Sequence, residues 1–146
     1  MLSAPPRMTA AELTSYLDHE FPQINRDGRR FIIEDTGPHS ARLRMLYDER
    51  LLRPGGTISG PAMFELADLA MYAAVLAAIG PVPLAVTINL NINFMRKPAR
   101  CDMIADCRLL KLGKALAVGE VALRSDGEEE LAAHATATYS IPRKRQ

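Results

Sequence analysis

The chain has 146 residues, with 18 Lys plus Arg against 17 Asp plus Glu and a formal net charge of +1. That length suits one domain, which can bury roughly 70% of the surface its unfolded chain exposes. Charges so evenly balanced give no domain-wide field of one sign, which argues against nucleic acid or a membrane as partner and leaves small molecules open.

The first residues, MLSAPPRMTA, lack the apolar core of a signal peptide, so a cytoplasmic location is expected. Residues 9–21 (TAAELTSYLDHEF) open with a Thr able to cap, carry Leu13, Tyr16, Leu17 and Phe21 at helical spacing, and stop at Pro22. This predicts a short amphipathic helix. Strand-type segments at 30–36 and 40–47 flank Gly37-Pro38 and predict a hairpin. Residues 53–61 (RPGGTISGP) form a loop in which Gly55-Gly56 reads as a turn, and GGTISG lacks the Gly-Lys-Ser/Thr of a phosphate loop.

A long helix is predicted from Pro61, proline being favoured at the first helical position, to a stop at Gly80-Pro81. At about 100° per residue, Glu65, Asp68 and Tyr72 share one narrow stripe, and the other directions are apolar or alanine. The stretch approaches membrane-spanning length, but two acids in its first half mark it as a core helix. Its many alanines, among them Ala67, Ala70, Ala73 and Ala74, keep it thin enough for a sheet to curl against it.

From residue 84 the period becomes two: Leu84, Val86, Ile88, Leu90, Ile92 and Phe94 alternate with Ala85, Thr87, Asn89, Asn91, Asn93 and Met95. This predicts a strand whose polar face carries Thr87 beside the three asparagines. Strands at 101–112 and 115–125 follow, joined by a two-residue turn at Gly113-Lys114; Asp126-Gly127 begins another turn and 131–141 is the last strand. The tail, 142–146, is expected to fray. Cys101 and Cys107 would share one face about 20 Å apart, at roughly 3.3 Å per residue. That excludes a disulfide between them, and both read as small buried hydrophobes. No histidine lies near them at zinc spacing, so no metal is expected. One helix against six strands joined mainly by hairpins is an α+β arrangement, a single domain over residues 1–146.

The run ISGPAMFELADLAMYAA, then AVTINLNINFMRKPA, GKALAVGEVAL and LAAHATATYSIP, resembles the hotdog-fold acyl-CoA thioesterases of the phenylacetyl-CoA (PaaI-like) type, over about residues 50–142. The resemblance implies a six-stranded antiparallel sheet wrapped around the long helix. It also implies hydrolysis of an acyl- or aryl-CoA thioester without a cofactor, coenzyme A arriving as part of the substrate. Family members carry His-Gly-Gly at the start of the central helix and an acid eight residues after the first of those glycines. Ser59, Gly60, Pro61 and Asp68 stand at these positions; Gly60 and Asp68 match, whereas Ser59 and Pro61 depart. Thr87 stands where the family has a Ser or Thr holding the attacking water, and Arg53 stands where relatives have an Asn six residues before the His.

Thioester hydrolysis explains these positions. An oxyanion needs donors, and the start of a helix offers free N–H groups; Pro61 has none, so Gly60 is the natural donor. A carboxylate must attack the carbonyl or deprotonate a water, and Asp68 is the candidate, with Glu65 one turn earlier as its competitor. Eight helical residues span roughly 12 Å, so one carbonyl cannot reach both Gly60 and Asp68 of the same chain. The resemblance implies a homodimer, or a dimer of dimers, with Gly60 of one chain facing Asp68 of the other. Ser59, Arg53, Glu65, Asn89 and Asn91 are candidate substrate contacts, and Arg96 and Lys97 candidate partners for the coenzyme A phosphates. Ser59 reads equally as a cap of the helix, Tyr72 reads as packing, and His39 and His134 as structural or surface residues. Loss of the family His and Asn leaves a non-catalytic acyl-CoA- or lipid-binding protein as the alternative. A hydratase would need a histidine opposite the acid, and none is evident.

Overall fold

Described by a computed structural model over residues 4–143, the chain begins its regular structure at Thr9. The Thr9 side chain accepts from Glu12 N–H while Glu12 reaches back to Thr9 N–H, a reciprocal cap that starts α1 (Ala10–Glu20). Leu13 and Leu17 bury its inner face. A 3-10 turn at Pro22–Asn25 follows, and Asn25 Oδ1 accepts from Arg30 N–H (2.7 Å) and Phe31 N–H (3.1 Å), setting the entry of β1 (Phe31–Gly37). β2 (Ser40–Met45) completes the expected hairpin. The glycine loop also turns as expected: Gly56 N–H donates to Arg53 O across Pro54-Gly55, with Gly55 at φ +101°.

The long helix α2 (Gly60–Ile79) starts one residue before the predicted Pro61, because Ser59 is its cap: Ser59 Oγ accepts from Ala62 N–H at 3.3 Å. It ends at Gly80, φ +88°, a conformation in which a side chain would be strained. β3 (Val86–Phe94), β4 (Met103–Leu112), β5 (Leu116–Ser125) and β6 (Ala133–Ser140) follow. All pairings are antiparallel in the order β1-β2-β4-β5-β6-β3. The α+β class, the six strands and the two helices are those expected.

Alternate residues of β2, β4, β5 and β6 point at α2 and alternate ones away. Those facing it become small where strand and helix draw close: Ala133, Ala135 and Ala137 on β6, and Gly119 on β5, where a Cβ would stand 2.7 Å from Met71 Sδ. Ala67, Ala70, Ala73, Ala74 and Ala77 on α2 are fully buried, so helix and sheet meet at nearly backbone distance. The helix is strongly apolar and largely wrapped by the rest of the chain, as a core helix is.

The strand order is new information that local turn signals could not indicate: β3 crosses to the far edge and, among the described residues, pairs with β6 alone. Two expectations are corrected. The β4–β5 link is a three-residue loop closed by Gly113 N–H to Leu116 O (2.8 Å), and Gly113 does not take a positive φ. Cys107 is buried and its thiol is pushed up to about 12 by burial and then by the charge of Glu120, but Cys101 lies before β4 and is partly exposed. Of the tail, residues 144–146 lie outside the described region.

Candidate active site

Glu65, Asp68 and Tyr72 leave α2 on the predicted stripe and open into a cleft of about 370 Å³. Pro83, Ala85, Val86 and Thr87 form one wall and Tyr139 of β6 another. Glu20, Phe21 and Ile24, from the end of α1 and the turn after it, close the third side. The walls are mainly apolar, with the acids on the helix.

Thr87 reaches Asp68 because β3 is bulged. Thr87 pairs with Tyr139 and Asn89 with Thr138, so Ile88 is an extra residue without a partner on β6. One inserted residue reverses the phase of a strand. Ala85 and Thr87 therefore point toward α2, and beyond the bulge Leu90 and Ile92 take over the inward face. Thr87 does not share a face with the asparagines, correcting the sequence reading. Asn89, Asn91 and Asn93 are exposed, Asn91 Nδ2 donating to Asn89 Oδ1 (2.7 Å), and neither Asn89 nor Asn91 lines the Asp68 cleft or the cleft at Gly60 described below.

The Asp68 carboxylate accepts two hydrogen bonds on one oxygen. Thr87 Oγ1 lies 2.6 Å and the Tyr139 hydroxyl 2.7 Å from Oδ1. Tyr139 is buried, and burial first and the Asp68 charge second push its phenol well above the usual range, so it stays protonated and able to donate. Glu65, the competing acid, is engaged by Arg30 at 2.6 Å. The Tyr72 hydroxyl donates to Pro83 O (3.2 Å) and its ring lies 6.2 Å from that of Tyr139.

Gly60 lies in a second cleft of about 410 Å³, with Arg53, Thr57, Phe94, Arg96 and Lys97 on its walls. No residue lines both clefts. In the first turn of α2, Pro61 has no N–H, Ala62 N–H is taken by Ser59 Oγ, and Met63 N–H by Ser59 O (3.2 Å). Among the described residues, nothing accepts from Gly60 N–H. Space above it is tight, since a Cβ there would stand 3.3 Å from the Phe94 ring. Arg96 pairs with Glu130, and Lys97 has no ion-pair partner among the described residues.

Other residues fall outside both clefts. His134 faces outward on β6, 3.2 Å from Glu120, whose carboxyl is held below the usual range by Arg108 and then by His134. His39 forms the tip of the first hairpin, its carbonyl accepting from Leu109 N–H. Two residues escaped the sequence reading: Tyr139 on the wall of the Asp68 cleft, and Arg30, which engages Glu65 at its edge. Arg30 is hidden in a run of charges, and Tyr139 lies on the last predicted strand. The available signal was that Tyr139 is the one hydroxyl in an otherwise alanine series, Ala133-Ala135-Ala137-Tyr139, on the buried face of β6.

Comparison with known proteins agrees with this architecture. Residues 55–132 match the family model of the thioesterase superfamily. A "putative esterase" of Saccharolobus solfataricus is 31% identical over 139 residues, 95% of this chain and 89% of its own. Another, from Halobacterium salinarum, is 36% identical over 97 residues, 62% of this chain and only 63% of its own length. Among solved structures, a "putative thioesterase" from Silicibacter superposes with a TM-score of 0.85 at 46% identity, covering 94% of each chain. The phenylacetic acid degradation protein PaaI of Thermus thermophilus, at 23% identity, shares the fold with a TM-score of 0.68 over 77% of this chain and 93% of its own. The long buried helix, the sheet around it and the matched residues together establish that this chain belongs to the thioesterase superfamily.

Proposed function

We propose that the protein hydrolyses acyl- or aryl-CoA thioesters, releasing a carboxylic acid and coenzyme A, at two equivalent sites each shared between two subunits. The observation that carries this reading is the Asp68 carboxylate, held on one oxygen by Thr87 and Tyr139 at the edge of a mainly apolar cleft that suits an acyl group. Arg30 neutralises Glu65, which leaves Asp68 as the working acid.

In this reading Asp68 takes a proton from water, and the resulting hydroxide adds to the thioester carbonyl; direct attack by the carboxylate is the other route open to the same group. The developing oxyanion accepts from Gly60 N–H of a second copy at the positive end of its α2. Collapse breaks the C–S bond, and the departing thiolate of coenzyme A recovers the proton. Arg53, Arg96 and Lys97 around the Gly60 cleft supply positive charge for the phosphates of coenzyme A.

A second copy has a surface to occupy. β3 is an edge strand with exposed apolar side chains on it and beside it: Val86 is 56% exposed, Ile88 58% and Phe94 53%, with Leu84 just before the strand at 75% and Met95 just after it at 53%. An exposed apolar edge invites pairing with another strand, and a two-fold axis there brings Gly60 of one copy toward Asp68 of the other. Asn89 and Asn91 then lie at the seam. A specific observation favours the alternative of a non-catalytic acyl-CoA binder: Ser59, in the place of the family His, serves as the cap of α2, its Oγ accepting from Ala62 N–H.

Thiol release from a panel of short-chain, long-chain and aryl-CoA thioesters tests the reading, with Asp68→Ala as control. Hydrolysis that disappears in the variant is expected. Ligand binding without turnover would favour the binder, and hydrolysis indifferent to Asp68 would overturn the proposal.

A further inference from the structure

The Asp68 carboxylate is held asymmetrically. Thr87 Oγ1 and the Tyr139 hydroxyl both reach Oδ1, at 2.6 and 2.7 Å, and among the described residues no donor reaches Oδ2. The two donors come from paired strands: Thr87 on β3 and Tyr139 on β6 are register partners, so their side chains rise together toward α2. The bulge at Ile88 lets this pair face the helix while the rest of β3 keeps its packing. Tyr139 also lies 3.0 Å from the Asp68 carbonyl oxygen, so it touches the backbone as well as the side chain of the residue it orients.

Resting on the thioesterase reading above, we infer that Tyr139 is a positioning residue that, with Thr87, fixes Oδ1 of Asp68 and reserves Oδ2 as the oxygen that takes the proton or attacks the carbonyl. A carboxylate whose two oxygens were both free could turn about its Cβ–Cγ bond and present either lone-pair set at the wrong angle. Two donors on one oxygen stop that rotation. The other groups facing Asp68 are Glu65 and Tyr72 on α2 and Glu20 at the end of α1, and none of them donates to its carboxylate.

The test is Tyr139→Phe, which keeps the ring that packs on Tyr72 and removes only the hydroxyl. With a thioester that the wild type hydrolyses, kcat should fall about 10- to 100-fold, the range for losing one hydrogen bond to a charged group, while KM changes less than about threefold. In an Asp68→Asn background, the same substitution should cause no further loss in the residual kcat, since the two residues act as one unit. A thermal melt of each variant separates these effects from unfolding. An unchanged kcat in Tyr139→Phe, beside an Asp68→Asn variant of much reduced turnover, overturns this inference alone. Full activity in Asp68→Asn overturns the role of Asp68 and this inference with it.

Discussion

Asp68 and Gly60 sit on the same helix, eight residues apart, in surroundings of opposite kind. Around Asp68 the chain supplies a complete setting: two donors on one oxygen, an apolar cleft, and Arg30 to neutralise the neighbouring Glu65. Around Gly60 it supplies one unclaimed N–H, a basic rim and a wall made by Phe94, but no acid. No residue borders both clefts. In the function proposed above, one end moves a proton, the other stabilises an anion, and the two half-sites of each chain work together across a subunit boundary.

The comparison can be broken first at its acidic half. Asp68→Ala should lower thioester turnover by about 10²- to 10⁴-fold, the contribution expected of a general base, with the oligomer unchanged by size-exclusion chromatography. Next comes the boundary itself. Ile88→Lys puts a charge on the exposed edge of β3 and should give monomers by analytical ultracentrifugation, with activity down roughly 100-fold although both clefts remain in each chain. At the anion half, Gly60→Val crowds the approach beside Phe94 and should lower kcat/KM by about 10- to 100-fold, measured by steady-state kinetics. Lys97→Ala should act more mildly, raising KM for coenzyme A thioesters about threefold at low salt and less at high salt, as an exposed charge does. The smallest effect is expected from Ser59→Ala: losing the cap costs about 1 kcal/mol, a fall of about 2–4 °C in Tm by calorimetry, with kcat nearly unchanged.

The two half-sites were not equally legible. α2 could be read nearly to the residue, because its signals are local: Ser59 and Pro61 at one end, Gly80 at the other, and alanines between. Asp68 and Gly60 stood out through that helix. The phase of β3 could not be read, since the bulge falls at Ile88, a good strand former with no glycine or proline to mark it. Perfect alternation from 84 to 95 therefore placed Thr87 with the asparagines. Tyr139 was beyond reach for a different reason. It meets Asp68 across 71 positions of sequence, where β6 packs on α2 and β3 crosses the sheet to bring Thr87 beside it. Local patterns do not encode that crossing.

The account stands or falls on a site shared between subunits, and complementation tests that most directly. Asp68→Ala and Gly60→Val, each expected at about a tenth of wild-type activity or less alone, are unfolded, mixed in equal amounts and refolded together. Half of the resulting dimers are then mixed, and each mixed dimer holds one intact site, so about a quarter of wild-type turnover should return. Activity that stays at the mean of the two parents, in a sample shown to contain mixed dimers, would contradict the account.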